Sequence, residues 1–113
     1  MSIGVFHSKT TTKTSTGTAQ SVTLAPGTVG VEVRVPIWNP ATGAAQVTGV
    51  NCVTVKIDGT ALALGTDCRT LTSGDSWYIP VGVGLDPTRA LSYITPTSAT
   101  AAFFEITEYA GVQ

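Results

Sequence analysis

The sequence predicts an all-β fold: a single antiparallel β-sandwich or jelly roll of about seven or eight strands with an extended N-terminal arm. Threonine occurs 20 times in 113 residues, and β-branched residues favour strands. From Gln20 onward, apolar residues recur with period two, which is typical of half-buried strands. Turn signals separate these runs about every 8–12 residues, as in sandwiches. No window has the 3.6-residue period of a helix.

The arm is predicted to be residues 1–19, and the sandwich domain residues 20–113. The segment Ser8–Ala19 is rich in Thr and Ser, has no hydrophobic period and contains no acidic residue, so Lys9 and Lys13 make it positively charged. One interpretation is a frayed terminus. The other is an extended segment that adds to the edge of a neighbour's sheet, in which case both lysines are interaction residues.

The strongest strand is predicted over residues 29–38, where five apolar side chains on one face alternate with five residues on the other. Pro36 has no N–H to donate, so this strand lies at an edge or ends there. A shorter strand at Val22 and Leu24 precedes it, and Asp58-Gly59 is a hairpin dipeptide. The remaining strands are predicted over residues 50–58, 61–64, 69–72, 77–83, 91–95 and 100–109.

The aromatic side chains divide between the two faces of these strands. Trp77 and Phe104 are in phase with the apolar faces and are predicted to lie in the core. Trp38, Tyr78 and Phe103 have the opposite phase, so a sandwich would expose them unless another part of the chain or a partner covers them. Such residues are anchors in a subunit interface or a platform on which a sugar stacks. We expect the interface, and the sugar platform remains the alternative.

No catalytic, cofactor-binding or metal-binding residue is expected. The only histidine, His7, lies in the unpatterned arm, where no third group would orient its imidazole. One histidine and two separated cysteines have no zinc-ligand spacing. Cys52 and Cys68 would contribute roughly 3 kcal/mol if they were paired. Without an export signal we expect a reducing compartment, which favours two thiols over the disulfide.

Two further motifs also fail as chemical sites. Strand alternation places Glu105 and Glu108 on opposite faces, which does not make the carboxylate pair of a glycosidase. The glycines Gly82 and Gly84 are followed by neither Lys-Ser/Thr nor a helix, so they do not form a phosphate-binding loop. They are interpreted as a strand end near a bend.

The charge composition excludes several classes of protein. Charged residues make up 12% of the chain, against about 25% in typical domains. The net charge of −1 provides no basic surface for nucleic acid. No apolar run approaches the roughly 18 residues of a membrane span. A surface with so few charges is better suited to burial in an assembly, so a homo-oligomer is expected.

Three segments resemble small bacteriophage virion proteins. They are Gln20–Thr28 with the alternating strand Val29–Val35, the turn and strand Leu71–Pro80, and the closing strand Thr97–Ile106. The resemblance implies a capsid decoration, or cement, protein: a small β-sandwich or jelly roll, often trimeric, that sits on capsomer junctions. The loop Trp38–Gly49 and the cysteine pair have no counterpart in it.

The expected function is therefore that of a virion structural protein without enzymatic activity. It would bind the major capsid protein on the outer capsid surface as an oligomer, with a trimer favoured, after synthesis in the host cytoplasm. No cofactor, nucleic acid or membrane is an expected partner. Two alternatives stay open: a carbohydrate- or receptor-binding module of a tail appendage, and a head–tail joining protein.

Overall fold

The computed structural model describes residues 5–25, 27–57, 68–80 and 90–112. These residues form eight strands, and no helix occurs among them, so the all-β prediction is confirmed. The predicted strand at 61–64, the Asp58-Gly59 turn and the glycines at 82 and 84 lie outside the described residues. The strands are β1 (Val5–Thr14), β2 (Gln20–Thr23), β3 (Thr28–Arg34), β4 (Cys52–Ile57), β5 (Arg69–Thr72), β6 (Ser76–Pro80), β7 (Ala90–Ile94) and β8 (Phe103–Val112).

The strands form two antiparallel sheets with the orders β1-β8-β3-β6 and β2-β7-β4-β5. Four pairings are nested along the chain: β1 with β8, β2 with β7, β3 with β6, and β4 with β5. This is the pairing of one long hairpin wrapped over itself, which is the jelly roll. The pairs β3–β8 and β4–β7 then complete each sheet.

The core lies between the sheets and follows from the period-two pattern. Val31, Val33 and Val35 alternate along and just beyond β3, and all three are fully buried. Phe104 is also fully buried, as predicted, and its ring meets that of Tyr93 edge-on with the centroids 4.9 Å apart. Each such side chain contributes roughly 1.5–3 kcal/mol through burial. The sandwich is thus held by side chains that face inward from both sheets.

Trp77 lies at the open side of the sandwich rather than at its centre. It is half-buried and packs against the core cluster. The Arg69 guanidinium, at the start of β5, lies 5.5 Å from the centroid of the indole ring. Because β5 and β6 are edge strands of different sheets, this cation–π contact joins the edges of the two sheets.

Most of the segment predicted as an arm forms β1, the outermost strand of the first sheet. It is extended, as expected, but it pairs with the chain's own last strand in unbroken register from Val5↔Val112 to Thr14↔Phe103. Its sequence lacks an apolar period because an edge strand needs no continuous apolar face. Lys9 and Lys13 lie on this edge strand, where lysine discourages pairing with another chain.

The two cysteines are free thiols, as expected. Cys52 pairs with Thr72 across β4 and β5, and Val55 pairs with Arg69. Continuing this register by one residue places Cys68 opposite Lys56, four residues along the ladder from Cys52. Four residues of strand span about 13 Å, well beyond the 7 Å limit for the Cα atoms of a disulfide. A disulfide within one chain is therefore sterically excluded.

Candidate interaction surface

Four connections meet at one end of the sandwich: residues 15–19, 35–51, 73–75 and 95–102, which we call the loop end. They are joined by backbone hydrogen bonds, in which the amides of Ser15, Val35, Thr95 and Thr100 donate to the carbonyls of Ala102, Asp75, Thr16 and Val50 respectively. The loop end is therefore one bonded surface rather than four separate loops.

The longest connection begins with a short hairpin over residues 37–46. At its tip the amide of Gly43 donates to the carbonyl of Asn39 at 2.7 Å, and the amide of Asn39 donates to the carbonyl of Ala44 at 2.8 Å. Pro40 suits the second position of the turn, and Gly43 has φ of 74°, which glycine adopts without strain. The sequence Asn-Pro-Ala-Thr-Gly thus determines the shape of the tip.

Gln46 fixes this hairpin to the first sheet. The ladder between β3 and β8 ends at the pair Arg34↔Glu105, and two residues further on Pro36 has no N–H to donate. The Gln46 side chain replaces the missing strand contact. Its Nε2 donates to the carbonyls of Pro36 at 2.8 Å and Phe103 at 2.9 Å, and its Oε1 accepts from the amide of Phe103 at 2.7 Å. Gln46 itself is buried.

Phe103 is the one of the three out-of-phase aromatic residues that is covered, because its side chain is only 8% exposed. By strand alternation Phe103 lies on the outward-facing side of β8, whereas the next residue, Phe104, faces inward and is fully buried. Alternation describes the two faces of a sheet, but it does not show where a long loop returns across one of them. The hydrogen bonds of Gln46 bring residues 35–51 to this position.

A second turn completes the connection. The amide of Val50 donates to the carbonyl of Val47 at 3.0 Å, and Gly49 between them has φ of 79°. The amide of Gly49 donates to Oγ1 of Thr72 at 2.8 Å, at the end of β5. The two valines are thereby held at the surface by a turn that is bonded to the neighbouring strand.

Four of the five large apolar side chains that are exposed among the described residues lie in this one connection. Ile37 is 58% exposed, Trp38 57%, Val47 52% and Val50 45%. Trp38 faces Ala45 across the hairpin, and a methyl group is too small to cover an indole ring. The predicted exposure of Trp38 is confirmed. The three aliphatic residues were not singled out from the sequence.

The loop end carries almost no charge. Nine of the thirteen charged residues lie in the described part of the chain. One of these nine, Asp75, lies at the loop end, and its Oδ2 accepts a hydrogen bond from the amide of Thr72 at 3.0 Å. The other eight lie in strands: Lys9, Lys13, Glu32, Arg34, Lys56, Arg69, Glu105 and Glu108. The signal for this was visible in the sequence, since no charged residue occurs between Arg34 and Lys56.

The amide and carboxylate side chains of the loop end are engaged with the chain's own backbone. Oδ1 of Asn51 accepts from the amide of Val47 at 2.8 Å, and its Nδ2 donates to the carbonyl of Ala101 at 2.7 Å. Oδ1 of Asn39 accepts from the amide of Ala41 at 2.9 Å. Together with Gln46 and Asp75, these groups build the loops. The exposed side chains of this end are therefore almost all uncharged, with large apolar groups beside the hydroxyls of threonine and serine.

Tyr78 is exposed, as predicted, but it lies on the outer face of the first sheet, away from the loop connections. It is 53% exposed, and its ring lies over Gly30. A Cβ at Gly30 would come within 2.8 Å of three Tyr78 ring and hydroxyl atoms. The ring also meets that of Tyr109 at a centroid distance of 6.2 Å. Gly30 lies opposite Tyr109 across β3 and β8, so the two tyrosines straddle the glycine.

The structure does not bring the five predicted interaction residues together. Trp38 lies at the loop end, and Phe103 is buried beside it. Lys9 and Lys13 lie on β1, opposite Glu108 and Phe104 in the register, and Tyr78 lies on β6. As a group these residues make no single surface, and only Trp38 belongs to the loop end as an exposed side chain.

The described residues contain no sign of a reaction centre. No three of their His, Cys, Asp or Glu residues form a group that could hold a metal ion. Ser15 is fully buried, but its Oγ is hydrogen-bonded to the Thr95 hydroxyl and to the backbone of Ala102.

Burial raises the pKa of Tyr93 above its ordinary value of 10.0. No helix long and apolar enough to cross a membrane occurs among the described residues.

Comparisons with known proteins give no match: no family model, curated protein or solved structure resembles the chain significantly. The geometry of the molecule and the composition of its surfaces are therefore the basis of the functional argument.

Proposed function

We propose that the chain is a structural protein of a bacteriophage virion, a decoration or cement protein that binds the major capsid protein on the outer shell as a homo-oligomer. The observation that carries the proposal is the loop end, where four large apolar side chains are about half exposed and the one charged residue is already hydrogen-bonded. Exposed apolar surface of this kind marks a contact with another macromolecule. The protein would act without cofactor or catalysis.

Attachment of this kind would stabilise a head through repetition. Each copy would bury a modest area across a joint between capsomers, and an oligomer that contacts the shell through several subunits gains avidity without any new type of contact. A trimer is the favoured oligomer because the decoration proteins that the chain resembles are often trimeric. The jelly-roll strand order is compatible with this role, since the same architecture occurs in viral capsid domains.

The direct test is the number of copies in purified phage particles, measured by quantitative mass spectrometry against the major capsid protein. A decoration protein should be present in hundreds of copies, on the order of the number of capsomer joints. Shells without the protein should rupture at a lower temperature than shells to which it has been added back. Absence of the chain from purified particles would refute the virion assignment.

Copy number also separates the proposal from a head–tail joining protein, which would be present in about a dozen copies as a single ring. A carbohydrate- or receptor-binding module is the second candidate, and the 57% exposure of Trp38 favours it, since sugars stack on exposed indole rings. A glycan screen with hits at millimolar affinity or better that are lost in Trp38→Ala would replace our proposal with this one.

A further inference from the structure

We infer that the loop end is the surface through which copies of this chain associate, each packing its loop end against the loop end of another copy about a common axis. The inference rests on the proposed function, which requires an oligomer, and it identifies the surface that joins the copies.

The first argument is the distribution of charge. In a symmetric contact residue i of one copy meets residue j of another, and a charge close to the axis meets its own copy, so a surface with few charges can face itself with little repulsion. Of the nine described charges, eight lie in strands and only Asp75 lies at the loop end. Asp75 keeps its charge, and its carboxylate accepts a hydrogen bond from the amide of Thr72. The loop end is thus the part of the described molecule best able to face its own copy.

The second argument is that the amide side chains of the loop end are already hydrogen-bonded to the chain's own backbone. A glycan or an extended peptide is recognised through precisely placed hydrogen-bonding groups that accompany the apolar contacts. At the loop end, Gln46 and Asn51 each use both ends of their amide on the chain's own backbone, and Asn39 uses its carbonyl oxygen there. The partner that fits such a surface has few charges and large apolar groups beside hydroxyls, and a second loop end has this composition.

The third argument is rigidity. Exposed side chains on a mobile loop lose conformational entropy when they bind, which reduces affinity. Trp38 is carried by a hairpin that Gln46 fixes to Pro36 and Phe103, and Val50 by a turn whose Gly49 amide bonds to β5. The apolar groups are therefore held in position before any contact forms.

The fourth argument is area. From the exposed fractions of Ile37, Trp38, Val47 and Val50, these side chains present on the order of 400 Å² of apolar surface. This is about half of the roughly 800 Å² that each partner contributes to a standard interface. The uncharged residues around them would supply the remainder, with Trp38 as the aromatic anchor that such interfaces use.

Sedimentation velocity and equilibrium on the purified chain, without any shell, test the inference. The wild type should be oligomeric at tens of micromolar. Trp38→Glu should raise the dissociation constant roughly thirtyfold or more, as loss of an interface anchor does. Thr23→Glu introduces the same charge at an exposed position of β2 and should leave association unchanged. Melting temperatures of both variants should stay close to that of the wild type, because both side chains are exposed.

A wild-type chain that remains monomeric would overturn the inference, and so would a Trp38→Glu oligomer as stable as that of the wild type. If Trp38→Glu fails to fold, Val47→Glu at a 52% exposed position provides the same test. Occupancy of the chain on phage particles is measured separately. A monomer that still coats particles therefore refutes this inference and leaves the proposed function standing, whereas an oligomer that is absent from particles does the reverse.

Discussion

The loop end and the outer face of the first sheet are both exposed, but they differ in almost every chemical respect. The loop end carries four exposed aliphatic or indole side chains and one charge. The sheet face carries Glu32, Arg34 and Glu105, with Arg34 directly opposite Glu105. It also carries threonines on β1 and β8, such as Thr10 and Thr107, whose hydroxyls are 3.1 Å apart.

The difference shows that the low overall charge is unevenly distributed. On the sheet face, the hydroxyls of Thr10 and Thr107 form a cross-strand pair. Even its exposed aromatic ring, Tyr78, covers Gly30 and meets Tyr109. The loop end satisfies its polar groups internally in the same way but leaves Trp38 and its aliphatic neighbours uncovered. An exposed aromatic residue therefore packs on the chain itself at Tyr78 and is left uncovered at Trp38.

Deletion of β1 should have the largest effect, because it destabilises the first sheet. Deletion of residues 1–14 would leave β8 as an edge strand without its ladder to β1, which runs over ten residue pairs. We expect a loss of several kcal/mol, a large fraction of the stability of a domain of this size, together with aggregation through the new edge. Thermal melting and light scattering measure this, with deletion of residues 1–4, which leaves β1 whole, as control. If the deleted chain melts normally and only fails to bind particles, the segment acts as an arm after all.

Gln46→Ala should detach the connection of residues 35–51 from the first sheet while leaving the strands of both sheets paired. The substitution removes the partners of the buried Phe103 amide and of two carbonyls, and we expect a loss of about 2–4 kcal/mol. Gln46→Glu should be worse at neutral pH, because a carboxylate would face the carbonyl oxygens of Pro36 and Phe103 and could not donate to them. Denaturant titration gives the free energy of unfolding. Gln20→Ala at an exposed position of β2 is the control, and equal losses in both alanine variants would contradict the anchoring role.

Gly30→Ala tests whether Tyr78 is a structural residue. A Cβ at Gly30 would lie 2.0 Å from the Tyr78 hydroxyl, so the ring must swing away, and we expect a loss of about 1 kcal/mol. In a Tyr78→Ala background the same substitution should cost nothing or stabilise, because alanine suits a strand better than glycine does. A double-mutant cycle from thermal melts measures the coupling. Additive effects would show that the ring does not pack on the glycine.

The fold class followed from the sequence because burial between two sheets imposes a local period. Val31, Val33 and Val35 alternate as predicted and are fully buried. The strand pairing could not be predicted in the same way. The register that places Val5 opposite Val112 joins the two ends of the chain and depends on no local pattern. For the same reason β1, whose edge position requires no apolar stripe, resembled an arm.

The candidate surface was only partly predictable. Trp38 was identified correctly by its phase, but Phe103 has the same phase and is covered, since phase does not show where a loop returns. The role of Gln46 depends on the failure of Pro36 to donate a hydrogen bond and on a fold that brings residues 46 and 103 together. The absence of charge between Arg34 and Lys56 is a sequence signal, and it becomes informative once these residues are known to form one exposed end.

The smallest expected effect concerns Tyr93, which lies in the core between the two surfaces and should affect neither. Burial raises its pKa above 10.0, so the folded state favours the protonated phenol more than the unfolded state does. The resulting stability is fully present below pH 10 and is lost as the pH rises through the raised pKa. In denaturant titrations at each pH, the free energy of unfolding of Tyr93→Phe should therefore fall less between neutral pH and about pH 11 than that of the wild type. Tyr109→Phe is the matched control, and an identical alkaline decline in wild type and Tyr93→Phe would show that Tyr93 is ionised as easily in the folded chain as in the unfolded one.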